Sequence, residues 1–355
     1  MKINKLEYCL NCSTKVNKQH IHISNLGLPG IHGSDNIVKK YICCDDPKIV
    51  DIVQDNNNLA LIDSDSIVYT FAYRYRDYYE KNLNVEDLRP TESVLAALKK
   101  DLLSYIYYIV STTNSRYYIG LLASRKRDKT EEEEEQENCF RYGLCKTFEY
   151  KSKRKTKDYV KFWRPYIYSI LIDDLNFQEV VRTIEVDDML AILHKELKDS
   201  YNVIVAGQDK DLLQIPTSHF NYVTGKFTDA TSETDIFVEK SKLRGYGYKL
   251  LYGQCIAGDG GDDIPGIKGL GPVAAVKALK DCKSEFSCIR EVIKLYVNNG
   301  KTKEQLLDNY RAVKLLESSD AKYISEASKT IIDNNKEYIV GNIVDLFDQI
   351  KNKLK

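Results

Sequence analysis

Carboxylates recur in this sequence just past short apolar runs. Asp63 and Asp65 follow Leu59-Ala60-Leu61-Ile62, Asp209 and Asp211 follow Val203-Ile204-Val205-Ala206, and Glu185, Asp187 and Asp188 follow the strand-like Val180 to Ile184. A last group, Asp259, Asp262 and Asp263, stands among glycines in GDGGDD. Crowded carboxylates repel and raise one another's pKa, so core packing gives no reason to gather them. A divalent cation removes the repulsion, and Mg2+ is typically held by a few carboxylates together with water and the phosphate oxygens of a substrate. Each group also has a plainer reading. Asp65, Ser66, Asp187 and Asp188 are of the types that cap or favour helix N-termini, and GDGGDD reads as a solvated turn. Recurrence at one strand end after another favours the metal-binding reading for the set.

The last acidic group runs straight into Gly266-Ile267-Lys268-Gly269-Leu270-Gly271 and then Pro272. Proline suits the first turn of a helix, and the glycines let backbone N–H groups come close to an anion at the helix start. Gly266, Gly269 and Gly271, with Lys268 and Lys277, are therefore candidate contacts to a phosphate backbone. A second candidate is the segment from Lys146 to Arg164, KTFEYKSKRKTKDYVKFWR, where Lys151, Lys153, Arg154 and Lys155 stand beside Tyr150, Phe162 and Trp163. A basic stripe with interleaved aromatics suits phosphate neutralisation and base stacking; a solvated helix face is the alternative.

To bring these groups together, the chain needs parallel strands that end on one edge, because ligands of open α/β sheets bind beyond the carboxyl ends of the strands. Leu59–Ile62, Tyr117–Ala123 and Asn202–Ala206 read as such strands. Helices are expected over Tyr69–Tyr79, Thr91–Ile106, Met189–Leu197, from Pro272, and over Phe286–Val297, Lys303–Leu316 and Tyr338–Leu354. The charge block Arg125–Arg127 and Glu131–Glu135 reads as a solvated loop. Residues 1–58 form a polar extension, 59–250 the main α/β domain with a basic arch over about 125–165, and 251–355 a helical part.

The chain has 355 residues, enough for about two domains, and its 52 basic and 52 acidic residues give no net charge. A zero balance argues weakly against nucleic acid, but the basic stripe shows that charge is segregated along the chain. Nine cysteines at irregular spacing suit reduced thiols better than a disulfide framework. Cys9, Cys12, Cys43 and Cys44 offer a Cys-x2-Cys knuckle and an adjacent pair, a candidate zinc site whose alternative is unliganded thiols. The chain shows no secretory signal and no run near the ~20 apolar residues of a membrane span, so a cytoplasmic monomer is expected, in the host cytoplasm if the source is viral.

Three motifs in this order, EVDD, AGQDKDLLQI and GDGGDDIPGIKGLGPVAA, resemble the 5′–3′ exonuclease and flap endonuclease family, including the bacteriophage type and the 5′-nuclease domain of bacterial DNA polymerase I. The resemblance covers about Leu59 to Leu316. It implies a PIN-like (resolvase-like) α/β fold with a helix–three-turn–helix motif, and cleavage of DNA at 5′ ends, flaps, nicks or branches with two Mg2+ or Mn2+ ions. The metal ligands it implies are Asp63, Glu185, Asp187, Asp188, Asp209, Asp211, Asp259 and Asp262. Lys151 and Arg154 of Tyr150-Lys151-Ser152-Lys153-Arg154 would reach the scissile phosphate, and K+ would bind at Gly266–Gly271. One departure stands out: the family's aspartate after the second strand is absent, and Leu121-Leu122-Ala123-Ser124 stands there. Two other readings are a haloacid-dehalogenase-type phosphatase, from Asp63-Ser64-Asp65, and a DNA-junction-binding protein with a decayed metal site. The first leaves EVDD and the basic stripe without a role; the second must explain why so many acids remain.

Overall fold

The computed structural model describes residues 2–9, 21–27, 38–40, 49–51, 56–124, 139–153, 155–180, 184–231, 234–316 and 350–352. Cys12, Cys43, Cys44, Arg154, the charge block at 125–138 and nearly all of the last expected helix lie outside the described residues, as does the side chain of Cys9. The zinc expectation therefore falls outside them too.

In chain order the strands and helices begin with β1 (Lys2–Cys9), β2 (Ile21–Gly27), β3 (Val38–Lys40), β4 (Ile49–Asp51) and β5 (Asn58–Asp63). There follow α1 (Asp65–Arg74), α2 (Arg76–Lys81), α3 (Glu92–Thr112), β6 (Tyr117–Leu122), α4 (Phe140–Leu144), α5 (Asp158–Ser169), β7 (Gln178–Glu179), α6 (Val186–Leu197) and β8 (Asn202–Ala206). The remainder is β9 (Ser218–Asn221), β10 (Lys226–Asp229), the hairpin β11 (Asp235–Glu239) and β12 (Lys242–Tyr246), then α7 (Gly247–Ala257), α8 (Pro272–Leu279), α9 (Glu285–Asn298) and α10 (Lys303–Val313).

The main sheet has the order β10-β9-β8-β5-β6-β1-β2-β3. Its centre is parallel: β5 pairs with β6 on one side and β8 on the other, and β8 pairs with β9. β5 is a continuous apolar run because both its faces are covered. Ala60 and Ile62 pack under α1, α3 and α5 with Phe71, Ile106 and Trp163. Leu59 and Leu61 pack on the other face against Leu190 and Leu193 of α6. The parallel strands β5, β6 and β8 all run the same way, so their carboxyl ends, at Asp63, Leu122 and Ala206, open onto one edge. A separate core joins α7 to α10 around Leu250, Ile293 and Tyr296.

The structure refines several expected elements. Of the strand expected over Val180–Ile184, residues 181–183 lie outside the described residues; β7 covers Gln178–Glu179 just before it, and Ile184 leads into α6. The expected helix Tyr69–Tyr79 starts earlier and divides at Tyr75 into α1 and α2. Residues 1–58 read as polar and poorly periodic, yet β1 continues the sheet antiparallel to β6. β1 lies between β6 and β2, and backbone pairing of this kind needs no strict apolar alternation. No helix among the described residues is long and apolar enough to cross a membrane.

Candidate active site

Asp63 is fixed by its neighbours before it meets any ligand. It is only 2% exposed. Its Oδ1 accepts the Asp65 N–H at 3.0 Å, and its carbonyl accepts the Tyr222 hydroxyl at 2.7 Å. The next strand makes room for it: a Cβ on Gly207 would stand 3.3 Å from the Asp63 Cβ and 2.3 Å from the Leu212 Cδ1. Asp209 follows two residues past Gly207 and turns the chain, its Oδ1 accepting the Asp211 N–H at 2.9 Å. Asp187 comes from the first turn of α6. These three carboxylates have no ion-pair partner among the described residues. Burial, then the charges of Asp65 and Asp209, push Asp63 well above the usual carboxylate range. Burial, then Asp209 and Asp63, do the same to Asp187.

The other acids have cations of their own. Arg141, 1% exposed, forks onto Asp188, with one nitrogen 2.7 Å from Oδ1, and places its other nitrogen 3.0 Å from Glu185. It also donates to the Ala312 and Lys314 carbonyls at 3.1 and 2.7 Å, so it ties α4 to α6 and to the end of α10. Asp188 Oδ1 takes the Leu316 N–H at 3.0 Å as well. Glu185 accepts from the Lys151 ammonium and, at 3.0 Å, from the Tyr150 hydroxyl. Burial works against its charge, but Lys151 and Arg141 hold it down to about 2. Lys210 bridges Asp211, at 2.8 Å, and Asp259. Burial still pushes Asp211 up to about 6 against the pull of Lys210, while Asp259 is lowered. Gln254 donates to Asp211 at 2.6 Å. Asp262 lies 3.8 Å from the Lys151 ammonium and 3.4 Å from the Tyr150 hydroxyl.

The basic segment is clasped to the GDGGDD loop. Lys151 has a left-handed backbone, φ 53°, and its N–H donates to the Asp262 carbonyl at 3.0 Å. Lys153 is bound through its own N–H and ammonium to Asp263, at 2.9 and 3.1 Å, with the side chain 85% exposed. Lys155 is exposed. Gly266, Gly269 and Gly271 divide into two cases. Gly266, φ 58°, has no room for a side chain, since a Cβ there would lie 2.3 Å from the Gly258 nitrogen. Its lack of a side chain serves the close approach of its own chain. Gly269 and Gly271 face open space, with no atom within 4 Å of a built Cβ. Gly271 caps α8, which opens on Pro272 as expected, and Lys268 and Lys277 are exposed.

Asp63, Asp187 and Asp209 line an open cleft of about 1040 Å³ together with Glu185, Asp211, Asp262, Lys151 and Arg164. Among the described residues no three carboxylates, histidines or cysteines stand close enough together to hold a metal ion by themselves, so water and substrate oxygens would have to complete any shell. The donor set is all oxygen, at a place where negative charge is uncompensated, which is the chemistry a hard divalent cation fits. Asp259 joins the group through Lys210. Asp188, fully buried, has its oxygens engaged by Arg141 and backbone N–H groups.

Arg141 and Gln254 carry no signal in the sequence: each is a lone polar residue in an apolar or aromatic setting. Lys210 was legible, since it lies between the two aspartates of Gln208-Asp209-Lys210-Asp211. Tyr150 was visible as an aromatic in the basic stripe, but its contact with Glu185 was not.

No protein-family model matches the chain. Curated relatives at 26 to 30% identity carry the names 5′–3′ exonuclease, DNA polymerase I and flap endonuclease Xni. The 5′–3′ exonuclease of Buchnera aphidicola subsp. Schizaphis graminum is 27% identical over 270 residues, which span 72% of this chain and 84% of the relative. DNA polymerase I of Bacillus subtilis is 26% identical over 205 residues, 56% of this chain; the match spans only 22% of the polymerase. A solved structure of the T5 D15 protein co-crystallised with metal ions aligns with a TM-score of 0.49 at 18% identity, covering 82% of this chain and 99% of that one. That likeness is too slight to carry an argument. By sequence, the chain is similar to proteins named 5′–3′ exonuclease and flap endonuclease.

Proposed function

We propose that this protein is a metal-dependent 5′-nuclease that hydrolyses phosphodiester bonds of DNA at 5′ ends, flaps or branches. The observation that carries the reading is the meeting of Asp63, Asp187 and Asp209, from three separate elements, in one cleft, with no ion-pair partner for any of them among the described residues. Asp63, Asp187 and Asp209 would hold divalent ions, Mg2+ or Mn2+, with Asp211, Asp259 and Asp262 nearby. Such ions, when bound, lower the pKa of a water and offset charge on the phosphate oxygens.

The chain's own residues supply the rest. Glu185 keeps Lys151 at the cleft, so an ammonium faces the phosphate as negative charge grows on its oxygens. Arg164 adds basic charge at the cleft, and the sequence offers Arg154 as a second. Exposed Lys153, Lys155, Lys268 and Lys277 neutralise backbone phosphates away from the cut. Gly269 and Gly271 leave open backbone at the start of α8, where helix N–H groups, with or without K+, meet a duplex phosphate. The names of the relatives support DNA as the substrate, and a soluble cytoplasmic monomer is the simplest state for it.

Turnover of a labelled 5′ flap in Mg2+, compared with EDTA, tests the reading directly. Cleavage only with the metal is expected; tight binding without turnover would instead favour a junction-binding protein. A covalent aspartyl-phosphate would favour the phosphatase reading. Lys151→Ala is expected to slow the single-turnover step by ~10²–10³ with little loss of binding. A rate within threefold of wild type removes Lys151 from the chemistry.

A further inference from the structure

The second parallel strand ends without a carboxylate. β6 stops at Leu122, and Ala123 and Ser124 follow, although both face the cleft. The turn after β5 reaches across to that place. Ser64 donates its N–H to the Leu121 carbonyl at 3.2 Å, and its hydroxyl donates to the same oxygen. This stitches the β5 turn onto the end of β6 and sets Asp65 beside Ala123. The parallel register, Asp63 opposite Leu121, puts the next residues of the two turns side by side, and Asp65 lines the cleft with Ala123, Arg164, Glu185 and Lys151.

Helix capping does not account for this placement. The N-cap of α1 is Ser64, and no side chain makes a capping hydrogen bond there. Asp65 lies in the first turn of α1 and lines the cleft.

We propose that Asp65 supplies, from the first strand's turn, the metal-binding carboxylate that the end of the second strand lacks. The inference rests on the metal-nuclease reading of the cleft. It converts the departure at Leu121–Ser124 from a lost ligand into a relocated one, because the Ser64 hydrogen bonds to Leu121 hold Asp65 at the end of β6, on the cleft that a residue at 123 also lines. A relocated carboxylate keeps the oxygen count of the shell while changing the strand that delivers it.

The test is Mn2+ binding to the purified protein, followed by electron paramagnetic resonance of the free ion, for wild type, Asp65→Asn, and Asp65→Asn combined with Ala123→Asp. Wild type is expected to bind Mn2+, Asp65→Asn to bind one ion ~10–100-fold more weakly, and the double variant to recover to within about threefold. A negative charge lost merely from the α1 N-terminus would not be restored by a carboxylate at position 123. Wild type that binds no Mn2+ overturns the nuclease reading itself. Wild-type binding with Asp65→Asn unchanged overturns only the role of Asp65, and a double variant as weak as the single overturns the claim of relocation. Thermal midpoints in EDTA check the fold of each variant. Asp65→Ser, which keeps a residue suited to a helix start, replaces Asn if that variant folds poorly.

Discussion

Asp63 and Glu185 line the same cleft with the same functional group, yet they live in opposite electrostatic conditions. Asp63 and Asp187 are buried among like charges, Asp209 included, and are pushed toward the protonated form. Glu185, with Asp188 and Asp259, is held ionised or occupied by Arg141, Lys151 and Lys210. The difference teaches that a count of acids overstates the ligand set. An acid with its own internal cation has its charge already answered and serves to position that cation. An acid without one keeps an unanswered charge, and that is where an external cation gains most.

The largest test of this division is Asp209→Asn. Asp209 is exposed and has no cation partner, so its loss should leave the fold intact and lessen repulsion on Asp63 and Asp187. Cleavage should fall by about 10³, about 4 kcal/mol of barrier, with stability in metal-free urea titrations unchanged or raised. Cutting at the wild-type rate would show that the crowded acids are not the working set.

Asp188→Asn is the converse. Arg141 is buried, and Asp188 answers it through both oxygens. Removing the charge strands part of a guanidinium in the interior, and that typically costs about 3 kcal/mol or more. A drop of that size is expected in urea unfolding without metal, with the mutual repulsion of Asp63 and Asp187 untouched. A drop below about 1 kcal/mol would mean that Arg141 needs no such partner, and Asp188 would return to the ligand set.

Some of this division was legible in the sequence and some was not. Strand β8 matched its apolar run residue for residue, because a buried parallel strand must be apolar throughout. Pro272 at the start of α8 and the acids past β5 and β8 were equally plain. What the sequence hides is the partner. Arg141 lies 44 residues from Glu185 and 47 from Asp188, and nothing in a lone arginine after Phe140 announces the carboxylates it will meet. Asp188 was therefore grouped with Asp187 through the resemblance carried by EVDD, although in a helix adjacent residues point about 100° apart and these two enter different surroundings. The Asp65 turn was hidden for the same reason: the Ser64 hydrogen bonds that hold it to the end of β6 join residues 57 apart in the chain.

The smallest expected effect is the most direct reading of the two environments, because it gives them opposite signs. Asp63 has its folded pKa raised by burial and by neighbouring acids. Below the unfolded carboxylate range both states are protonated and there is no penalty; as pH rises, the native state is penalised for holding a proton or a crowded charge. Asp63→Asn removes that penalty, so in EDTA its stability relative to wild type should climb from near pH 4 upward. Glu185 has its folded pKa lowered to about 2, so its contribution is present above the unfolded value and is lost as pH falls toward 2. Glu185→Gln should therefore cost stability at neutral pH, about 2 kcal/mol after allowance for partial exposure, and progressively less below pH 4.5. His194 and His219, both lowered to about 4 by burial, weaken every variant alike between pH 6.5 and 4 and cancel in the differences. The measurement is a set of urea midpoints from pH 3.5 to 8 for wild type and the two variants. Difference curves of the same sign would break the comparison, because the two carboxyls would then share one environment.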